Sequence, residues 1–303
     1  MKLLVTGATG LLGDYFIRVN RNQNRITALV RETPQRPIPG VTYIKWDLTT
    51  AVEEDLPHGQ FDAVVHLAQS RKHRDFPLSA DETLRTNLIS TGTLLEFARK
   101  QQIPRFVLAS TGGLYAPLMH ALEESDPLEA PMNLNLYFAT KLGAEALVGA
   151  YRTLLHVSVM RIFFMYGTGQ DTGQLIPRLI DSVKEGRPIL LGGHDGFRLN
   201  PIHVTDAANS LLTMLRSPVA GVFNVAGSEV VSLRELCNMI GEVVGREPVF
   251  EHVAAGRDLV ADISELGALG VLPSTSLRTG LRRMVEDPDY MGDQRGTSTN
   301  LDR

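Results

Sequence analysis

Thr6-Gly7-Ala8-Thr9-Gly10-Leu11-Leu12-Gly13 follows an apolar run at residues 3–6 and opens an amphipathic one at residues 11–20. Its three glycines are spaced G-x-x-G-x-x-G. At a strand–helix junction such spacing gives a tight turn and lets the backbone approach a ligand closely. The first helical turn then offers unpaired N–H groups to an anion such as a pyrophosphate, and Gly13 lets the helix pack against the strand. A junction of this kind at the head of an alternating pattern predicts parallel strands with helices on both faces.

The pattern does alternate. Residues 26–30, 43–46, 63–67, 106–109 and 157–162 are short, mostly apolar runs, as expected of strands buried on both faces. Residues 81–101 and 137–155 carry helical periodicity. The expectation is an α/β chain built on a doubly wound parallel sheet. The second half is less regular, with glycine-rich loops at 167–173 and 192–196 flanking a helix over 175–185 and a strand at 222–225. Ser232-Leu233-Arg234-Glu235 has the capping-box pattern of a helix start. Residues 1–166, with a return around 198–226, are expected to form the dinucleotide-binding domain. Residues 167–197 and 227–287 are expected to form a smaller mixed substrate-binding region, and 288–303 a poorly ordered polar tail.

Composition narrows the function. The 303 residues, 43% hydrophobic and 21% charged, suit one large globular domain or two coupled ones. A net charge of −4 without clustered Lys and Arg argues against a nucleic-acid surface. The single Cys237 excludes an internal disulfide, and its neighbours Leu233, Leu236, Met239 and Ile240 mark it as buried packing. No uncharged run approaches the roughly 20 residues of a membrane span, and the start lacks a leader pattern. A cytoplasmic protein that binds no membrane is therefore expected. No histidine pair has metal-ligand spacing on a helix, so no metal is expected, and His66 and His203 read as structural.

Four further stretches carry chemistry. Val30-Arg31 ends the second strand where an acidic residue would serve the ribose hydroxyls of NAD; a guanidinium there suits the 2′-phosphate of NADP. Asp47-Leu48, after the third strand, suits an adenine amino group and ring, and His66-Leu67-Ala68 brings backbone close to the cofactor. Tyr137 and Lys141 stand i, i+4 on one helix, where the ammonium favours the charged form of the phenol and the pair can move a carbinol proton. In Ala109-Ser110-Thr111-Gly112-Gly113-Leu114-Tyr115, Thr111 ends the fifth strand, where ligands of open parallel sheets bind, and its hydroxyl can meet the substrate oxygen.

With these pieces, the chain resembles an extended short-chain dehydrogenase/reductase of the NAD-dependent epimerase/dehydratase family, from residue 2 to about residue 285. Residues 85–99, Arg161-Ile162-Phe163-Phe164-Met165-Tyr166-Gly167, Arg198-Leu199-Asn200-Pro201-Ile202-His203-Val204-Thr205-Asp206-Ala207-Ala208 and Phe223-Asn224-Val225-Ala226-Gly227 complete the likeness. The resemblance implies a Rossmann-type fold and a catalytic triad of Thr111, Tyr137 and Lys141, with Tyr137 as general acid/base. It implies cofactor contacts from Gly7, Thr9, Gly10, Leu11, Leu12, Arg31, Asp47, Leu48, Leu67, Ala68, Gln69, Asn87, Ala109, Tyr137, Lys141 and Ile162. Asn87 would support the site near the lysine. Ser70, Thr111, Gly112, Phe164 and Arg198 would face substrate, Arg198 as an anchor for a sugar-linked diphosphate or else as a structural partner of Asp195 or Asp206. A homodimer through the helices at 81–101 and 137–155 is implied too.

The departures matter. Phe164 stands where many members have asparagine, Gly112-Gly113 where sugar 4,6-dehydratases carry an Asp-Glu pair, and Gln69 in place of a common alanine. The expected function is an NAD(P)-dependent nucleotide-sugar epimerase or 4-ketoreductase, with NADP preferred over NAD. The alternatives are an NADP-dependent reductase of a non-sugar ketone or aldehyde and a non-catalytic dinucleotide sensor.

Overall fold

Leu3, Val5 and Leu4 alternate between two buried faces of the first strand, β1 (Lys2–Thr6), and this alternation organises the molecule. The computed structural model describes residues 1–50, 52–254 and 256–287, so the expected tail at 288–303 lies outside the described residues. After β1 come α1 (Leu11–Asn20), β2 (Arg25–Val30), β3 (Val41–Lys45), β4 (Ala63–His66), α2 (Ala80–Leu84), α3 (Ser90–Lys100), β5 (Arg105–Thr111), α4 (Leu136–Ala150) and β6 (His156–Ile162). The later elements are α5 (Leu175–Glu185), β7 (Ile189–Gly192), β8 (Arg198–Leu199), α6 (Val204–Arg216), β9 (Gly221–Val225), β10 (Val231–Ser232), α7 (Leu233–Val244), β11 (Phe250–Val253), α8 (Ser264–Ala268) and α9 (Leu277–Glu286).

Among the described residues, seven parallel strands form one sheet in the order β3-β2-β1-β4-β5-β6-β9. Helices α1 and α6 cover one face through Phe16, Ile17, Ala207 and Leu211. Helices α3 and α4 cover the other through Leu94, Leu95, Ala144 and Val148. Each of the larger side chains among these, taken fully from water, stabilises the fold by about 1.5–3 kcal/mol relative to exposure. Strand order reverses between β1 and β4, so a crevice opens at their carboxyl ends, where α1 begins.

A second layer packs α5, α7 and α9 around the parallel pair β7–β11 and the antiparallel pair β8–β10. The capping box is formed: Ser232 accepts from the Glu235 N–H and Glu235 accepts from the Ser232 N–H. Cys237 is buried here, and desolvation pushes its thiol up to about 12.

Two helices differ from the expected spans. The helix expected over 137–155 ends at Ala150, because residues 151–154 turn the chain so that His156 N–H bonds Pro104 O and β6 enters the sheet beside β5. The segment expected as one helix over 81–101 contains a π turn, Arg85–Ile89, between α2 and α3. That wider turn carries the buried Asn87. No helix among the described residues is long and apolar enough to cross a membrane.

Candidate active site

The glycine turn is shaped by contact. Gly7 has φ +71°, and a Cβ on it would lie 2.7 Å from Ala68 N and from the Leu67 carbonyl carbon. A Cβ on Gly13 would lie 2.1 Å from Gly7 O. Only hydrogen at both positions allows α1 to start this close to the end of β4. Gly10 precedes the helix and no side chain caps it, so the N–H groups at Leu11 and Leu12 open the helix toward the crevice. A pyrophosphate fits such an uncapped, side-chain-free junction.

Around it, Thr6, His66, Thr91 and Asn87 form a buried chain. Thr91 Oγ1 donates to Asn87 O at 2.8 Å, so the His66 Nε2–H donates to Thr91 Oγ1 at 3.1 Å. His66 Nδ1 then accepts from Thr6 Oγ1 at 2.7 Å, and Thr6 Oγ1 accepts from Ala68 N–H at 3.3 Å. Every polar atom of the ring has a partner when it is neutral. Burial, and then the Lys141 charge, push its pKa down to about 3. Asn87 accepts from Ser70 N–H at 2.8 Å and donates to Thr140 Oγ1 at 3.0 Å, tying the loop after β4 to α4. Ser70, read as a substrate residue, is itself buried, its hydroxyl within reach of Lys72 N–H and Thr83.

Helix α4 brings the reactive groups to the ends of β4 and β5. Asn135 caps it by accepting from Phe138 N–H at 3.0 Å. Tyr137 is half-buried and in hydrogen-bond contact with the Thr111 hydroxyl. Desolvation pushes the phenol up to about 12, and the Thr111 bond opposes this. Its hydroxyl also donates to Gln69 Oε1 at 3.1 Å, a contact that no sequence spacing announces. One turn on, the Lys141 ammonium is 2% exposed and donates to Ala109 O at 2.9 Å. Burial lowers its pKa to about 8, with Glu145 acting the other way. Ile162 is paired with Thr111 across β5 and β6, at the rim of the same site.

The residues expected at the adenosine end of a cofactor follow β2 and β3. Asp47 Oδ1 accepts from Thr49 N–H and hydroxyl at 2.9 and 2.8 Å, and its second oxygen has no partner among the described residues. Arg31 is exposed and lines a surface pocket of about 470 Å³ with Thr49, Thr50, Asp81, Glu82 and Arg85.

Beyond β5, a Cβ on Gly112 would lie 2.4 Å from the Phe163 ring, and one on Gly113 would lie 2.4 Å from Phe138. Phe164 has φ +41°, a left-handed backbone that asparagine tolerates better than phenylalanine, and its ring tilts against Phe197 at 6.0 Å. Arg198 is exposed and pairs with neither expected acid. Asp195 instead meets Arg234 and His194, and Asp206 accepts from Thr275 N–H and Ser274. The Arg198 N–H donates to Asp258 at 2.7 Å, which places Arg257 beside it; Arg257 reaches Tyr115 O at 3.4 Å and Glu129 at 3.8 Å. Arg257 sits in no sequence motif. Among the described residues no group of three His, Cys, Asp or Glu could hold a metal ion.

A glycine-turn crevice at the switch point of a parallel sheet, with a phenol and an ammonium one helical turn apart, defines the dinucleotide-dependent α/β enzymes. Comparison sharpens the class. The NAD dependent epimerase/dehydratase family matches residues 3–226, and the chain belongs to it, an enzyme of the extended short-chain dehydrogenase type. A dTDP-glucose 4,6-dehydratase of Streptomyces griseus is 30% identical over 93% of this chain and 92% of its own. A dTDP-4-dehydro-6-deoxy-D-allose reductase of Streptomyces bikiniensis is 29% identical over 92% and 93%. Among solved structures, MoeE5 in complex with UDP-glucuronic acid and NAD superposes with a TM-score of 0.82 at 28% identity, covering 97% of this chain and 100% of MoeE5.

Proposed function

We propose that this enzyme moves a hydride to and from a sugar carbon carried on a nucleoside diphosphate, as an epimerase or a 4-ketoreductase. The nicotinamide, when bound, supplies and receives the hydride. Tyr137 passes the proton of the substrate hydroxyl, and Thr111 hydrogen-bonds the same oxygen. Lys141 stands one helical turn from the phenol with its ammonium held by Ala109 O, and burial outweighs the charge-favouring surroundings that the i, i+4 spacing suggests for Tyr137. With its phenol held near 12, Tyr137 is a proton donor at neutral pH, the role that ketone reduction asks of it. The reading is carried by one observation, the contact between Tyr137 and Thr111 with the Lys141 ammonium buried one turn away.

Support for the substrate class comes from the names of the relatives and from the UDP-sugar bound by MoeE5. Arg198 and Arg257 are our candidates for the diphosphate. The glycines at 112 and 113 favour epimerase or reductase over dehydratase, because Phe163 and Phe138 fill the space that an eliminating acid and base would need. We assign residues 1–166 with 198–226 to the cofactor, and 167–197 with 227–287 to the substrate. Arg31 favours NADP, although MoeE5 was solved with NAD. A second copy is assigned to α4, whose outward residues Ala139, Leu142, Gly143, Ala146 and Ala150 are all apolar. A non-sugar ketone is the second reading, favoured by the aromatic pair Phe164 and Phe197.

The test is thermal stabilisation by UDP, dTDP and GDP in the presence of NADP or NAD, followed by hydride transfer from the matching UDP- or dTDP-sugar. Tyr137→Phe is expected to slow transfer by roughly a hundredfold or more with cofactor affinity retained. Stabilisation by none of the three nucleotides would shift the assignment to the non-sugar ketone, and full turnover in Tyr137→Phe would remove the triad.

A further inference from the structure

Tyr137, Lys141 and Glu145 recur every four residues on α4, so one helix face carries all three. The first two have roles above; Glu145 has none yet. Its side chain is 8% exposed, and a carboxylate so deep needs strong partners. Arg161 on β6, itself 6% exposed, donates from Nη2 to Oε2 at 2.8 Å and from Nε to both oxygens at 3.2 Å. Ser110 on β5 donates its hydroxyl to Oε1. Arg161 is fixed in turn, lying 4.8 Å over the Tyr115 ring, whose hydroxyl donates to Asn224 at 2.7 Å.

Ser110 stands between the two residues of β5 that the reactive pair uses. Its predecessor, Ala109, accepts from the Lys141 ammonium; its successor, Thr111, meets the Tyr137 phenol. One carboxylate therefore clamps the catalytic helix to the strand at the residue that sets both distances.

We propose that Glu145 is a positioning residue for the Tyr137–Lys141 pair, holding α4 in register on β5 through Ser110 and keeping the Lys141 ammonium charged by its buried negative charge. This rests on the triad reading above. The groups around Lys141 bear it out: Tyr137 and Glu145 lie on its own helix, neutral His66 ends β4, and Arg161 stands on β6 beyond Glu145. Of these, Glu145 is the one anion, and it counters the desolvation that brings Lys141 to about 8.

The test is a titration of the Lys141 side chain in the full-length enzyme by NMR of ε-carbon-labelled lysine, assigned with Lys141→Met. In Glu145→Gln, which keeps the shape and removes the charge, the midpoint is expected to fall by about one unit. A midpoint that stays or rises overturns the proposal. Ser110→Ala leaves the ion pair in place and covers the case in which Glu145→Gln does not fold. It is expected to slow hydride transfer from UDP-glucose or dTDP-glucose roughly tenfold, with KM and the Lys141 midpoint little changed. Unchanged transfer in Ser110→Ala also overturns the proposal. Tyr137→Phe, run alongside, reads the triad separately: turnover surviving there removes the triad and leaves the lysine titration as measured.

Discussion

His66 shows what one buried side chain asks of its surroundings. The ring is 1% exposed, and its two nitrogens are a donor to Thr91 and an acceptor from Thr6 only while it is neutral. Its folded pKa of about 3 lies below the ordinary 6.5. The unfolded chain therefore binds the extra proton first as pH falls. Stability from this group is fully present above about pH 6.5 and is lost as pH drops toward 3, at up to about 1.4 kcal/mol per pH unit. Urea unfolding at pH 7.5, 6 and 5 should show the decline, and His66→Gln should flatten it. A wild-type stability that holds level between pH 6.5 and 5 would mean that the ring is not locked as described.

Among the elements, the β1–turn–α1 unit shows how a single methyl can matter or not. Gly13→Ala would place a carbon 2.1 Å from backbone Gly7 O, where no side chain can move aside. It is expected to destabilise the fold by about 1–3 kcal/mol and to abolish dinucleotide binding, read by denaturation and by cofactor titration. Gly149→Ala, near the end of α4 with nothing within 4 Å of the new carbon, is expected to stabilise by about 0.4–1 kcal/mol. Equal effects from the two would mean that the turn is looser than its contacts imply. The β1–turn–α1 unit was also the most legible part of the chain, because period, glycine spacing and helix start agree there. The span of α5 and the Ser232 cap were readable for the same reason. The two-residue strands β8 and β10 were not: Arg198–Leu199 and Val231–Ser232 become strands only by pairing with each other. In the site, helical spacing exposes Tyr137 with Lys141, whereas Glu145 gives no chemical signal in the sequence, because its partners Ser110 and Arg161 come from two other strands. The bond from Tyr137 to Gln69 joins elements 68 residues apart and leaves no local trace.

For the whole molecule, the unusual surface is the one around α4. Ile89 is 56% exposed and Leu84 39%, and both lie in the segment that packs on α4, a helix whose outward side is apolar. Water should not be the final neighbour of such a face. Light scattering at micromolar concentration is expected to give the mass of two chains, and Ile89→Arg the mass of one. A single-chain mass for the unmodified protein would leave this face to another partner.

The aromatic packing behind Gly112 and Gly113 also bears on how this scaffold can change. An acidic side chain introduced at either glycine collides with a ring, so neither glycine is exchanged alone. Descent or engineering that places an acid at 112 or 113 has to trim Phe163 or Phe138 in the same step, so the two glycines and the two rings change together.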